Sequence, residues 1–257
     1  MCSQSSVSRP NAFSRRQDAD GNQIQNQILL DLPAKEFQNL VSSLEFVRLS
    51  PRQVLHETGA TLKSVYFCNS GMFSIMAVLP DGKSVEVGLT GREGFSGVPL
   101  IAGFRTSNTR TVVQVEATAF RLDADQFRDA PRRSPSLAEE VRRYGQLVAM
   151  QAAQIAACNR FHEVEERLAR WLLMCEDCLG SSVLPLTQVF LAQMLGSRRS
   201  SVSLAASTLR RSGLIEYTKG STTILSREGL IDASCDCYEQ LKRQGEEWMS
   251  QSDGVFR

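Results

Sequence analysis

The sequence predicts an α+β protein in three parts: an N-terminal antiparallel β-roll, one long helix, and a C-terminal winged helix-turn-helix. Three observations carry this. Short β-rich runs separated by glycine turns fill Glu45 to about Leu122, which is the texture of a compact roll or barrel. An apolar stripe of helical period follows. Beyond it, two short helical patterns meet at Gly196 and lead into two β-rich runs around Lys219-Gly220-Ser221, the punctuation of a winged module. Boundaries are placed at 1–27 for a flexible tail, 28–130 for the roll, 131–159 for a dimerisation helix and 160–250 for the winged module.

Residues 1–27 are rich in Ser, Gln, Asn and Arg, a composition that does not repay the entropy of ordering. Leu32-Pro33 opens a short helix, with Phe37, Leu40, Val41 and Leu44 at helical spacing. Within the roll, the runs at Val65–Phe67, Met72–Met76, Val85–Val87 and Thr111–Val115 read as strands, and Asp81-Gly82 is the strongest hairpin mark. A helical region starting near Leu122 is interrupted at Pro131 and Pro135. The long helix then runs to about Arg160.

Leu137, Val141, Tyr144, Val148, Gln151, Ile155 and Cys158 alternate steps of four and three along that helix. The spacing is a heptad seam over about three heptads and predicts pairing with a second copy, Gln151 fixing register. Asn159 and Arg160 mark a hinge. An amphipathic helix from Phe161 to Cys178 follows, with Val164, Leu168, Trp171, Leu172 and Cys175 inward.

Thr187 is the expected N-cap of the first helix in the helix-turn-helix, Gly196 its turn, and the second helix begins near Ser197. Val202, Ala205, Ala206 and Leu209 form its buried stripe. The other side presents Arg198, Arg199, Ser200 and Ser203 near the N-terminal end and Arg210 further on. Arginine donates two hydrogen bonds to guanine O6 and N7, and serine fits beside several base edges, so this face suits the DNA major groove. Lys219 sits at the tip of the wing. Arg227 to Met249 is read as a terminal helix capping this module.

The chain has 257 residues, is 42% hydrophobic and carries a net charge of +1, which excludes a protein that coats nucleic acid by bulk charge. Locally the balance differs: Leu186 to Ser226 holds five basic residues against one acid, so that segment carries +4 and the remainder −3. A basic module on a mildly acidic carrier suits selective DNA binding. The seven cysteines, an odd number widely spread, point to a reduced, cytoplasmic setting. No apolar run reaches the roughly 18 residues of a membrane span, and the N-terminus lacks a signal-peptide core. Ser-His-Asp, Cys-His, phosphate-loop and His-rich metal motifs are all absent, so no enzyme is expected.

Cys175-x-x-Cys178 and Cys235-x-Cys237 together offer four thiolates for zinc or a redox switch. Cys175 faces inward on its helix, however, and buried free cysteines are common. The reading is therefore no metal and no cofactor, with a redox or metal sensor through those four residues as an alternative. His56 and His162 are the only histidines, and both are expected at exposed or core-edge positions.

In this order of parts the chain resembles the Crp-Fnr family of bacterial transcription regulators. The resemblance spans about Leu32 to Leu225. It is most specific at Val65-Tyr66-Phe67-Cys68-Asn69-Ser70-Gly71, at Asp81-Gly82-Lys83 and from Leu186-Thr187 to Ile215, with Arg199 at the family's recognition-helix arginine. It implies a cyclic-nucleotide-binding-like roll and a homodimer that reads a two-fold symmetric operator and touches RNA polymerase. A small-molecule effector is a further possible partner. The family's cyclic-nucleotide pocket is incomplete here: Val98 follows Gly97 where the family carries glutamate, and Ala152 and Ala153 stand where the long helix meets the purine. Arg110-Thr111 alone matches, as the phosphate-binding pair. A cyclic-nucleotide-responsive regulator is the alternative within this fold. Ser200 and Leu204 also depart from the family pattern, so the operator is this protein's own.

Overall fold

The computed structural model describes residues 16–186, 188–218 and 220–252. Thr187 and Lys219, expected at the first helix cap and the wing tip, lie outside them.

Among the described residues six strands build the roll: β1 (Glu45–Leu49), β2 (Val54–His56), β3 (Ser64–Val78), β4 (Ser84–Thr90), the short β5 (Phe95–Ser96) and β6 (Thr109–Asp123). All pairings are antiparallel, in the order β1-β6-β3-β4, with β2 on β6 and β5 on β3. β3 and β6 pair along most of their length, with register shifts near Ser70 and Met72. Gly71 sits at this irregularity with φ +77°, and a Cβ there would lie 2.3 Å from the Glu116 carbonyl oxygen. Only glycine fits so close to the neighbouring strand. The β3–β4 hairpin turns at Asp81-Gly82, where Gly82 has φ +83° and the Lys83 amide donates to Asp81 Oδ1.

The segment read as a flexible tail is packed from Arg16 onward. Arg16 donates to the carbonyls of Leu29 and Leu32 at 2.8 and 2.6 Å, satisfying the end of α1 (Gln27–Asp31). Buried Asn26 caps the start of α1 and donates to the carbonyls of Cys68, Arg92 and Gly94. Polar composition concealed this, because the ordering comes from side-chain bonds to loop backbone rather than from apolar burial. Pro33 then caps α2 (Ala34–Val41), which buries Phe37 and Leu40.

Asp123 accepts from the amides of Asp125 and Gln126 to open α3 (Ala124–Arg133). Pro131 is accommodated inside α3, so the break falls at Ser134. Ser134 in turn caps α4 (Pro135–Phe161), with Pro135 in its first turn, where a missing N–H costs nothing.

Most of the face of α4 expected to form the dimer seam packs against its own chain. Leu137, Val141 and Tyr144 are buried among Phe67, Phe95, Phe127 and Trp248, and Ile155 and Cys158 are buried as well. Val148 and Gln151 are half-buried on the same side. A stripe of this length arises equally when one helix face packs on its own domain.

After α4 come α5 (Val164–Leu179), β7 (Val183–Leu184), α6 (Gln188–Met194), α7 (Arg199–Arg211), β8 (Ile215–Thr218), β9 (Ser221–Ile224), α8 (Arg227–Asp232) and α9 (Cys237–Ser252). Glu163 and Glu166 form a capping box at the start of α5, and Gly180 ends it with φ +65°. β7, β9 and β8 form the wing sheet. α9 does more than cap this module, because it returns along α4 and sets Trp248 edge-on to Tyr144 at 5.9 Å. Roll and module also share a core: Met72, Met76 and Leu89 pack with Trp171, Leu172, Leu191 and Met194.

Candidate nucleic-acid interface

Gly196, with φ +56°, makes the turn between α6 and α7. Arg198 is the N-cap of α7, so the helix starts at Arg199, two residues beyond the expected Ser197. The buried stripe is the expected one: Val202, Ala205, Ala206 and Leu209 are all at 5% exposure or less. Away from it, Arg198 at the N-cap and Arg199, Ser200 and Ser203 in the first turns of α7 are all exposed, with Arg210 and Arg211 exposed at the far end. Leu204 lies among them at 68% exposure. The helix N-terminus adds partial positive charge to the same end. Phosphate-seeking and base-reading groups therefore gather at that end, and an exposed leucine offers an apolar contact of the kind thymine methyls accept.

The module is seated on the roll through two kinds of contact. A Cβ on Gly196 would come within 2.9 Å of Val85, and Gln193 Nε2 donates to Ser84 Oγ. Deeper in, Glu86 of β4 is buried and accepts from Trp171 Nε1 and Ser74 Oγ, both at 2.7 Å. Burial pushes its carboxyl up to about 7, against the lowering effect of those donors and of Arg170. Sequence patterning gave no sign of Glu86, since a charged residue in the alternation Val85-Glu86-Val87 reads as outward-facing. Its one available signal was a tryptophan on the inward stripe of α5, whose N–H needs an acceptor once buried.

Arg110 and Thr111 part company. Arg110 pairs with Glu57 at 2.9 Å and lines a cleft of about 380 Å³ with Arg52, Met76 and Val112 of the roll and Phe190, Gln193 and Met194 of α6. Thr111 is buried in β6 opposite Ile75 and His56. His56 bonds Ser96 Oγ at 3.1 Å, and burial holds it down to about 4.

The cysteines sort differently from expectation. Cys175 is sealed in the shared core, and Cys178 lies against Gly91, whose Cβ would fall 2.4 Å from its sulfur. Burial pushes both thiols well up. Cys235 and Cys237 instead meet Cys158 and His162 at the far end of α4, with their ligand atoms all within 4.8 Å of one another. The four-cysteine grouping is thereby corrected. Cys158 belongs to this cluster rather than to a dimer seam, and His162 is a member rather than a bystander.

An antiparallel roll joined by a long helix to a winged helix-turn-helix with an exposed basic recognition face defines a two-domain transcription regulator. Residues 46–134 match the cyclic nucleotide-binding domain and residues 166–233 the Crp-like helix-turn-helix domain. The chain belongs to the Crp-Fnr family of regulators. Among solved structures it is similar to a crp/fnr-family transcriptional regulator from Eubacterium rectale, at 15% identity and TM-score 0.64, covering 85% of this chain and 99% of that one. FixK2 from Bradyrhizobium japonicum is similar at 14% identity and TM-score 0.65, covering 75% and 98%. The c-di-GMP responsive global regulator CLP from Xanthomonas campestris is similar at 17% identity and TM-score 0.62, covering 76% and 100%. No curated protein matches the sequence. Among the described residues no helix is long and apolar enough to cross a membrane.

Proposed function

We propose that the protein is a cytoplasmic, homodimeric regulator that reads a two-fold symmetric operator with paired α7 helices. The observation that carries this is the exposure of Arg198, Arg199, Ser200, Ser203 and Leu204 together around the N-terminal half of α7. Arg199 and Arg198 supply bidentate and phosphate contacts, the serines fit flanking base edges, and Leu204 meets a thymine methyl. Thr187 and Lys219 would add phosphate contacts at the helix start and wing tip.

The dimer uses the side of α4 opposite the expected seam. Gln146, Ala149, Met150, Ala153, Ala157 and Phe161 are exposed there, with Gln146, Met150, Ala153, Ala157 and Phe161 at steps of three and four along one helix face and Ala149 beside them. Met150 and Phe161 are 43% and 78% exposed, and the alanines between them permit close helix approach. Paired this way, the two recognition helices enter major-groove faces about 34 Å apart.

The controlling signal acts where the roll meets α6. Arg52 and Arg110 line the cleft there, so an anionic ligand would change the seating of the module and shift a two-state equilibrium. Contact with RNA polymerase is proposed on family grounds and is read by transcription in vitro.

The test is footprinting of the DNA upstream of the gene and its neighbours, expecting a symmetric protected site. Arg199→Ala should weaken binding and relax preference at one base position in each half-site, and unchanged affinity and preference would refute the reading. Calorimetry with cyclic AMP and cyclic GMP separates the alternative, because micromolar binding lost in Arg110→Ala would make this a cyclic-nucleotide-responsive regulator.

A further inference from the structure

The cluster at the end of α4 has the composition and dimensions of a metal centre. Cys158 and His162 stand four residues apart, on one face of α4 and at its C-cap. Cys235 and Cys237 come from the connection between α8 and the start of α9. Cys158 Sγ lies 3.5 Å from Cys235 Sγ, and Cys237 Sγ lies 3.4 Å from His162 Nδ1. Tetrahedral zinc, with bonds of about 2.3 Å to sulfur and 2.0–2.1 Å to nitrogen, sets its ligands about 3.8 Å apart for S···S and about 3.6 Å for S···N. Separations within 4.8 Å therefore leave room for one ion. They are too short for an iron–sulfur cluster, whose several irons spread the thiolates further apart.

The surroundings match the charge of such a site. Three thiolates and one neutral imidazole around a divalent ion carry a net −1. Arg167 and Arg170 are buried, at 7% and 2% exposure, and the Nε of each has no hydrogen-bond partner. Both interact electrostatically with the cluster, Arg170 with Cys158 and Arg167 with Cys158 and Cys235. Two desolvated guanidinium groups need negative charge nearby, and metal-held thiolates supply it permanently. Gln154 Nε2 also reaches Cys237 Sγ at 3.1 Å, the N–H···S support that commonly surrounds a ligating thiolate.

We propose that Cys158, His162, Cys235 and Cys237 bind one zinc ion in a closed tetrahedral site. Three of the ligands are cysteine and all four positions are filled by protein, which fits a structural rather than a catalytic centre. The ion ties the C-terminal end of α4 to the root of α9, holding α9 along α4 and keeping Trp248 on Tyr144. None of this depends on the proposed operator reading or on the dimer face.

Metal analysis of the full chain, purified anaerobically with reductant, is the first test, with one zinc per chain expected. Cobalt substitution of the wild-type protein should produce thiolate charge-transfer bands and the intense visible bands of a tetrahedral site. Cys235→Ser, Cys237→Ser and His162→Gln should each lose metal or shift those bands, whereas Cys175→Ser should keep both. Removing the ion from the wild-type chain should raise amide exchange across 233–252. The proposal is overturned by a metal-free wild-type protein without cobalt bands, by a Cys158–Cys235 disulfide in its place, by full zinc in the Cys235 and Cys237 variants, or by unchanged exchange after removal. Because the cobalt spectrum and the exchange measurement use the wild-type chain, a variant that fails to fold does not blunt the test.

Discussion

Trp171 Nε1 donates to Glu86 Oε1 at 2.7 Å, joining the first helix of the DNA-binding module to strand β4 of the roll. This buried bond sits in the core shared by the two domains, so the protonation of Glu86 bears on how firmly the module is seated. The Glu86 carboxyl is pushed up to about 7 from 4.5 by burial. Its contribution is therefore fully present below its unfolded value and is lost as pH rises through about 7. His56 works the other way. Held down to about 4 from 6.5 by burial, it contributes above its unfolded value and loses that contribution as pH falls through about 4. Each group is worth at most ~3 kcal/mol at 1.36 kcal/mol per unit, and in the native chain the two slopes oppose each other. Glu86→Gln should leave a protein whose thermal midpoint falls on acidification, and His56→Gln one whose midpoint falls as pH rises. Melting curves across this range check both signs.

Gly94 leaves room for the phenol end of Tyr144 at the β4–β5 connection, since a Cβ at Gly94 would lie 2.0 Å from the ring Cζ. Tyr144 also donates to Thr90 Oγ1 at 3.0 Å. Gly94→Ala should destabilise the roll by roughly 1–3 kcal/mol or more through overpacking. In denaturant unfolding, Gly94→Ala combined with Tyr144→Leu should cost less than the two changes summed. Strict additivity would show that the contact is not the constraint.

The two faces of α4 separate by substitution. Ala153→Glu places a charge on the exposed side and should yield monomers in sedimentation without loss of fold. Leu137→Ala, on the buried side, should cost about 2–5 kcal/mol and leave the association state unchanged. The reverse pattern would restore the seam to the dimer.

On DNA, Arg199→Ala should cost about 1–3 kcal/mol and relax preference at one base position, whereas Arg211→Ala should weaken all sequences alike and reduce the salt slope by about 1. Leu204→Ala should lose preference for thymine at its contact with little change in salt dependence. Binding isotherms at several salt concentrations on operator and scrambled duplexes distinguish the three.

Local patterns were legible where a single element carries its own signal. The stripe of Val202, Ala205, Ala206 and Leu209, the turns at Gly82 and Gly196, and the glycine at position 71 inside β3 depend on periodicity or on positive φ, both written in adjacent residues. The exposed face of α7 followed from the same periodicity. Glu86, the Cys158–His162–Cys235–Cys237 cluster and the packed segment from Arg16 to Asn26 were not legible. Each depends on partners far along the chain: Glu86 meets Trp171 85 residues away, Cys158 meets Cys235 77 away, and Asn26 reaches Gly94 68 away.

The α4 stripe shows the division most sharply. By itself the sequence determined the β-roll, the long helix and the winged helix-turn-helix, and it determined that Leu137, Val141, Tyr144, Ile155 and Cys158 share one side of α4. Which body covers that side was decided by the tertiary structure. The 3.6-residue turn fixes the relative direction of side chains on a helix but carries no information about what lies beyond them. Here the folded chain fills that space with its own Phe95, Phe127, Trp248 and Cys235, leaving the opposite face of Ala149, Met150, Ala153 and Ala157 open.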